Sequence, residues 1–299
     1  MRRGAALSFV VGLAAVVAPA APATAATREY WVAAVATPFN VVPNGKDALN
    51  HMPIDPLATH LHTVVYRQYT RGFGRPLASR YGGIPGPLLR ARVGDRILVH
   101  FRNLDFDAPH SMHFHGVRYK PSSDGAYLPP FSGRDGNVKP GESYTYRLTA
   151  VAASRGVWPY HDHGADMDVS IAGGMFGALS ILGRRERAPD VENVVVFSQL
   201  GGLQTIDGRA FVGNTPVFHS RVGDLVQWDV LAFGDAHHTF HVHGHRWTEH
   251  GTPVDTRTVG PAESFRVRWR ERDPGTWLYH CHVEDHMMNG MIGLYRVRR

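Results

Sequence analysis

AHHTFHVHG, residues 236–244, repeats APHSMHFHG, residues 108–116, and the pairing of these two stretches sets the architecture. It does not stand alone. PGPLLRARVGDRILVHFRN at 85–103 resembles NTPVFHSRVGDLVQWDV at 214–230, with RVGD at both 92–95 and 221–224. PGESYTYRL at 140–148 answers PAESFRVRW at 261–269, and WPYHDH at 158–163 answers WLYHCH at 277–282. Four matched blocks in one order mean a duplicated domain. Inside each copy apolar side chains alternate with period two: Ile97, Val99 and Phe101; Tyr144, Tyr146 and Leu148; Val226, Trp228 and Val230. That is the period of a strand with one buried face, and Gly and Pro clusters separate the runs. No amphipathic helix of normal length interrupts them. Each copy is therefore expected to be a small antiparallel β-sandwich.

The polar, proline-containing connector 184–190 divides a first copy, 27–183, from a second, 191–299. Residues 1–26 carry Arg2 and Arg3, an apolar stretch from Ala5 to Ala18, and small residues ending in Ala23-Thr24-Ala25, the pattern of a cleaved export signal. The arginine pair is compatible with the twin-arginine route, so a secreted or extracytoplasmic location is expected. No later stretch is long and apolar enough to span a bilayer, which argues against stable membrane insertion. One cysteine among 299 residues forbids an internal disulfide, so stability must come from core burial or assembly. The formal charge of +6 is spread through short runs such as RRER at 184–187 and RVRWRER at 266–272. The second run alternates with Phe265, Val267 and Trp269 and is read as a strand with one wet face, so nucleic-acid binding is not expected.

Of 19 histidines, most fall in four groups: His113 and His115; His161 and His163; His238, His241 and His243; His280, His282 and His286. An H-x-H pair on a strand turns both imidazoles to the same side. One pair, such as His60 and His62, is an ordinary wet strand face. Four pairs at matched positions of a repeat point to a multinuclear metal site. The lone Cys281 selects the metal. A thiolate, two imidazoles and a distant thioether form the blue-copper donor set, and His286 and Met291 follow Cys281 by five and ten residues. His238 is the available second imidazole. Structural zinc would use more thiolates and leave the other histidines without a purpose.

HFHG, YHDH, HTFHVHGH and YHCHVEDHMMNGM resemble the four copper-binding motifs of the multicopper oxidases, and their spread over two repeats is similar to that of the two-domain bacterial small laccases. The resemblance implies an all-β chain of two tandem cupredoxin-like Greek-key sandwiches, assembled as a homotrimer with a copper cluster between subunits. It implies four coppers per subunit equivalent: type 1 on His238, Cys281, His286 and axial Met291; type 2 on His113 and His241; a type 3 pair on His115, His161, His163, His243, His280 and His282. Small aromatic reductants, phenols or aromatic amines, would give up single electrons at the type 1 site, and dioxygen would be reduced to water at the cluster. Asp124 in SSDG and Asp255 in PVDT match acidic positions that supply protons there, although turn chemistry alone also suits aspartate.

The repeat alignment also exposes an asymmetry. His110 stands where His238 stands and Met175 echoes Met291, but Asp162 answers Cys281 and Met167 answers His286. Without a thiolate the first copy is expected to hold no type 1 copper, and His110 is read as a relic or a hydrogen-bonded surface histidine. Three rivals remain: a copper nitrite reductase, a non-enzymatic copper electron carrier, and a Cu(I) oxidase for detoxification, the last raised by Met287, Met288 and Met291. Histidines on both sides of the cysteine favour the three-copper cluster over the first two.

Overall fold

The computed structural model describes residues 25–131 and 133–299. The export signal expected over 1–26 lies outside the described residues apart from Ala25 and Ala26. Among the described residues no helix is long and apolar enough to cross a membrane.

The chain builds four main sheets. Residues of the first copy form one sheet in the order His60–Tyr69, Thr27–Asn40, Arg96–Asn103, Ser143–Thr149, and another in the order Leu89–Arg92, Phe176–Leu182, Gly156–His161, His113–Phe114. The second copy repeats both orders with Leu203–Ile206, Val191–Leu200, Leu225–Ala232, Ser264–Arg270, and with Val217–Arg221, Ile292–Arg298, Gly275–Cys281, His238–Val242, to which Thr256–Val259 is added. The alternating residues do what their period dictates: Ile97, Val99, Phe101, Val226, Trp228 and Val230 are all fully buried. Two short helices, Met167–Ala172 and Glu284–Met288, occupy corresponding places after the histidine pairs 161/163 and 280/282.

The sheets are mixed, not purely antiparallel. Thr27–Asn40 runs parallel to Arg96–Asn103, and Val191–Leu200 parallel to Leu225–Ala232. Leu89–Arg92 likewise runs parallel to Phe176–Leu182, and Val217–Arg221 to Ile292–Arg298. Alternation reports which face of a strand is buried and says nothing of its direction; the chain changes sheet between parallel neighbours, which permits the pairing.

Each sandwich has its own core, and a third apolar cluster joins them. It includes Phe39, Ile84, Val157 and Phe176 from the first copy with Val194, Val196, Leu231 and Phe233 from the second. Phe176 and Phe233 stack at 4.4 Å between ring centroids. This seam corrects the wet-face reading of RVRWRER at Arg266 and Arg268. Arg266 forms a bidentate pair with Asp229 at 2.7 and 3.1 Å and reaches across to Ser180 Oγ and the Ile181 carbonyl, with only a tenth of its side chain exposed. Arg268 pairs with Glu186 of the connector at 2.6 Å. Arg266 thus packs on the other copy and Arg268 on the connector, partners that alternation within one strand does not reveal, while Arg270 stays exposed.

A buried acid sits beside the seam. Asp207 and Gly208 both have positive φ, 52° and 71°, and form the tight turn after Leu203–Ile206. Asp207 is 2% exposed and its Oδ1 accepts from the Val196 N–H at 2.8 Å. Burial pushes its carboxyl up to about 8. The folded chain thus keeps a proton that the unfolded chain releases, and stability falls as pH rises toward 8, by about 1.4 kcal/mol per pH unit. Asp207→Asn keeps the acceptor and removes the titration. In thermal unfolding, its advantage over the wild type is expected to widen between pH 5 and pH 8; a constant gap would contradict this account.

Candidate metal centre

Four sets of donor atoms converge within 4.8 Å among the described residues: His238, Cys281 and His286; His113, His115 and His161; His241, His243 and His280; and His245, Glu271 and Asp273, the last outside the repeated histidine pairs. The two histidine-only sets arise from strand periodicity, whereas His286 of the cysteine set comes from the short helix Glu284–Met288. His113 and Phe114 pair with His161 and Tyr160 on the adjacent strand, and His241 pairs with His280, so the imidazoles of neighbouring strands meet on one face.

In the first set, Cys281 Sγ lies 3.8 Å from His238 Nδ1 and 3.6 Å from His286 Nδ1, and the two nitrogens are 3.1 Å apart. Cys281 and Met291 are completely buried. Main-chain bonds tie the loop into a ring: Cys281 N–H donates to the Met291 carbonyl at 3.1 Å, and Met291 N–H to the His286 carbonyl at 3.0 Å. Phe197 stacks on His238 at 5.3 Å and 22°, which fixes the ring. Burial, then the neighbouring His286, pushes His238 down to about 3, so its ring is neutral. The thiol is pushed up by burial, a cost that a bound cation removes.

The two histidine-only sets are copies of each other down to their supports. His113 Nδ1–H donates to the Asp124 carbonyl at 2.6 Å, and His241 Nδ1–H to the Asp255 carbonyl at 2.8 Å. His161 Nδ1–H donates to the Asp162 carbonyl at 2.8 Å, and His280 Nδ1–H to the Cys281 carbonyl at 2.9 Å. With Nδ1 committed as donor, each neutral ring presents a lone pair at Nε2. These lone pairs face other imidazoles: His115 Nε2 to His161 Nε2 at 3.1 Å, and His243 Nε2 to His280 Nε2 at 3.0 Å. Burial holds His115, His161 and His280 at about 4, so none carries a second proton at neutral pH. Neutral nitrogens turned toward one another fit a shared metal cation, and a sulfur with two nitrogens fits copper. His163 and His282 complete the two groups, with ring centroids 5.2 Å from His113 and 5.5 Å from His241.

Among the described residues no donor set mixes the two copies. The eight cluster histidines are two separate fours, and in the second His243 and His282 are exposed. Asp124 and Asp255 do meet the sets, but first through their main-chain carbonyls. The Asp124 carboxylate lies 3.4 Å from His113 Nδ1, and that of Asp255 accepts from Thr256 Oγ1, itself 3.1 Å from His241 Nδ1.

Other supports escaped the sequence reading. Tyr119 sits 6.2 Å from His113, edge to face, and burial together with its hydrogen bond to Asp124 pushes it up to about 12. His245 donates to the His243 carbonyl at 2.7 Å and to Glu271 at 3.1 Å, boxed by Trp269, Trp277 and Tyr295. The extra histidine in HVHGH, absent from HFHG, was the available signal. His110 is also not at the surface: it is 6% exposed and hydrogen-bonded to Asp105 and Asp162.

Two β-sandwiches with one cysteine-centred and two histidine-only donor sets define a copper protein of the cupredoxin class. Two family models, both described as multicopper oxidase, match residues 62–186 and 185–299, and the chain belongs to the multicopper oxidase family. It is 29% identical over 281 residues to a probable nitrite reductase-hydroxylamine oxidoreductase fusion protein of Kuenenia stuttgartiensis, covering 85% of this chain and 32% of that one. It is also 29% identical to the ferroxidase HEPHL1 of Homo sapiens, covering 91% and 29%. The chain thus spans about a third of the length of these curated relatives. Among solved structures, a multicopper oxidase superposes with TM-score 0.72 at 24% identity, covering 91% of this chain and 89% of that one. A copper nitrite reductase from Nitrosomonas europaea superposes with TM-score 0.70 at 18% identity, covering 91% and 94%.

Proposed function

We propose that the chain is a laccase-like multicopper oxidase that takes single electrons from phenols or aromatic amines and reduces dioxygen to water. His238, Cys281, His286 and Met291 would hold a type 1 copper. His113 and His241 would hold the type 2 copper, and His115, His161, His163, His243, His280 and His282 the type 3 pair. Bound there, copper supplies one-electron oxidation of the donor at the cysteine site and four-electron reduction of dioxygen at the cluster. The observation that carries the reading is Cys281 between two histidines, each in a cluster set. His280, Cys281 and His282 are consecutive, so covalent bonds link electron entry to the cluster. The Asp124 and Asp255 carbonyls orient the type 2 imidazoles, while the Asp124 carboxylate stands close enough to hold a proton for delivery.

Because the two fours lie apart within one chain, the cluster is proposed to form between subunits, the first copy of one facing the second copy of its neighbour. Such a heterologous contact closes into a ring, here a homotrimer. A second reading, oxidation of a metal ion such as Cu(I), draws on Met288, 65% exposed, and on exposed Glu284 and Asp285 beside His286, together with the ferroxidase relatives. Copper counting with visible and paramagnetic spectra, alongside oxygen uptake with 2,6-dimethoxyphenol, Cu(I) and nitrite, decides. Four coppers per chain and phenol-driven uptake are expected; a fully loaded protein that consumes no oxygen would exclude the assignment.

A further inference from the structure

The first copy keeps the frame of the cysteine site without its cysteine. Asp162 N–H donates to the Met175 carbonyl at 3.0 Å, as Cys281 N–H does to Met291. Ser111 N–H donates to Asp162 Oδ1 at 2.7 Å, as Thr239 N–H does to Cys281 Sγ at 3.4 Å. His163 N–H is held by Ser111 Oγ at 3.1 Å, and His282 N–H by the Thr239 carbonyl at 2.7 Å. His110 Nδ1 points at Asp162 Oδ2 from 2.9 Å, the approach His238 Nδ1 makes to the sulfur.

The difference lies on the far edge of the ring. His238 Nε2 is buried without a hydrogen-bond partner, whereas His110 Nε2 meets Asp105 Oδ2 at 3.1 Å. Both nitrogens of His110 therefore face carboxylates, which only accept, so both carry hydrogen. Asp105, His110 and Asp162 are 3%, 6% and 2% exposed. Where the second copy leaves a buried ring nitrogen without a partner beside its donor set, the first copy closes the same place with hydrogen bonds on both edges of the ring.

We propose that Asp105, His110 and Asp162 form a closed hydrogen-bonded triad where the second copy has its cysteine donor set, and that this triad positions His161 and His163 for binding at the cluster. The link to the ligands is direct. The Asp162 carbonyl accepts from His161 Nδ1 and so fixes which nitrogen that ring presents; Asp162 Oδ1 accepts from Ser111 Oγ at 3.1 Å, and Ser111 Oγ holds the His163 main chain. These are positioning residues. The inference deepens the multicopper reading and rests on it for what His161 and His163 bind.

The test compares Asp162→Ala, Asp162→Asn and His110→Gln in the full-length protein. Partners behind a metal ligand typically set affinity by about 10–100-fold. Asp162→Ala and His110→Gln are expected to weaken copper retention by the histidine-only sets about tenfold and to alter the type 2 paramagnetic signal, with the blue band per chain unchanged. Asp162→Asn, which keeps the acceptor for Ser111, should recover most of the loss. Equal loss of blue and cluster copper, or full retention in Asp162→Ala, would overturn the proposal. In the metal-free protein, NMR of the His163 main-chain amide, which donates to Ser111 Oγ, reads the side-chain link directly. A shifted amide resonance with faster hydrogen exchange in Asp162→Ala, restored in Asp162→Asn, supports the positioning role even if the wild type proves not to reduce oxygen; an unchanged amide refutes it.

Discussion

Cys281→Ser is expected to abolish the blue colour and oxygen uptake together while leaving the copper of the histidine-only sets in place. Serine offers a hard alcohol oxygen that stays protonated at neutral pH, so the soft anionic donor of the first set is lost outright. The neighbours are insulated from the change because their supports are main-chain groups: the 281 carbonyl still orients His280, and the 281 N–H still donates to Met291. A smaller side chain at a fully buried position also leaves the core intact enough to fold. Visible and paramagnetic spectra with copper counting check the outcome. If oxygen uptake survives in a colourless variant, the cysteine is not the entry point.

Separation of the subunits should be equally severe. Neither copy holds more than four of the eight cluster histidines, and no donor set within 4.8 Å combines the copies among the described residues. A monomer would retain the set at His238, Cys281 and His286 entire, and its blue absorption with it. Oxygen uptake per chain should therefore vanish on dilution below the dissociation range and return on concentration, while the blue band per chain stays constant. Sedimentation measured alongside uptake makes the comparison. Undiminished uptake by monomers would show that one chain completes the cluster.

Much of this was legible because duplication writes the same instruction twice. The blocks around His113 and His241, and around His161 and His280, mark the strands and the imidazoles that the fold brings together. What escaped depends on distance along the chain. Glu271 meets His245 across 26 residues, and Arg266 meets Ser180 across 86, with no local pattern to announce either pair. Strand direction was invisible because alternation is the same in both senses. Asp124 and Asp255 were identified as residues, but their closest contact runs through carbonyl oxygens, which every residue has. The burial of His110 was missed because Asp105 and Asp162, each ordinary as a turn aspartate, reveal their pairing only when folded.

The apolar seam has a consequence for how this duplicated chain melts. Ala178 and Leu231 come from different copies yet lie in one buried cluster, flanked by Arg266 on the Ile181 carbonyl and by the Arg268–Glu186 pair. Two repeats joined this way are expected to melt as a single cooperative unit, so that a cavity opened at either residue loosens both sandwiches at once, with one calorimetric transition as the check. Evolution copied the domain, but thermodynamically the copies are no longer independent.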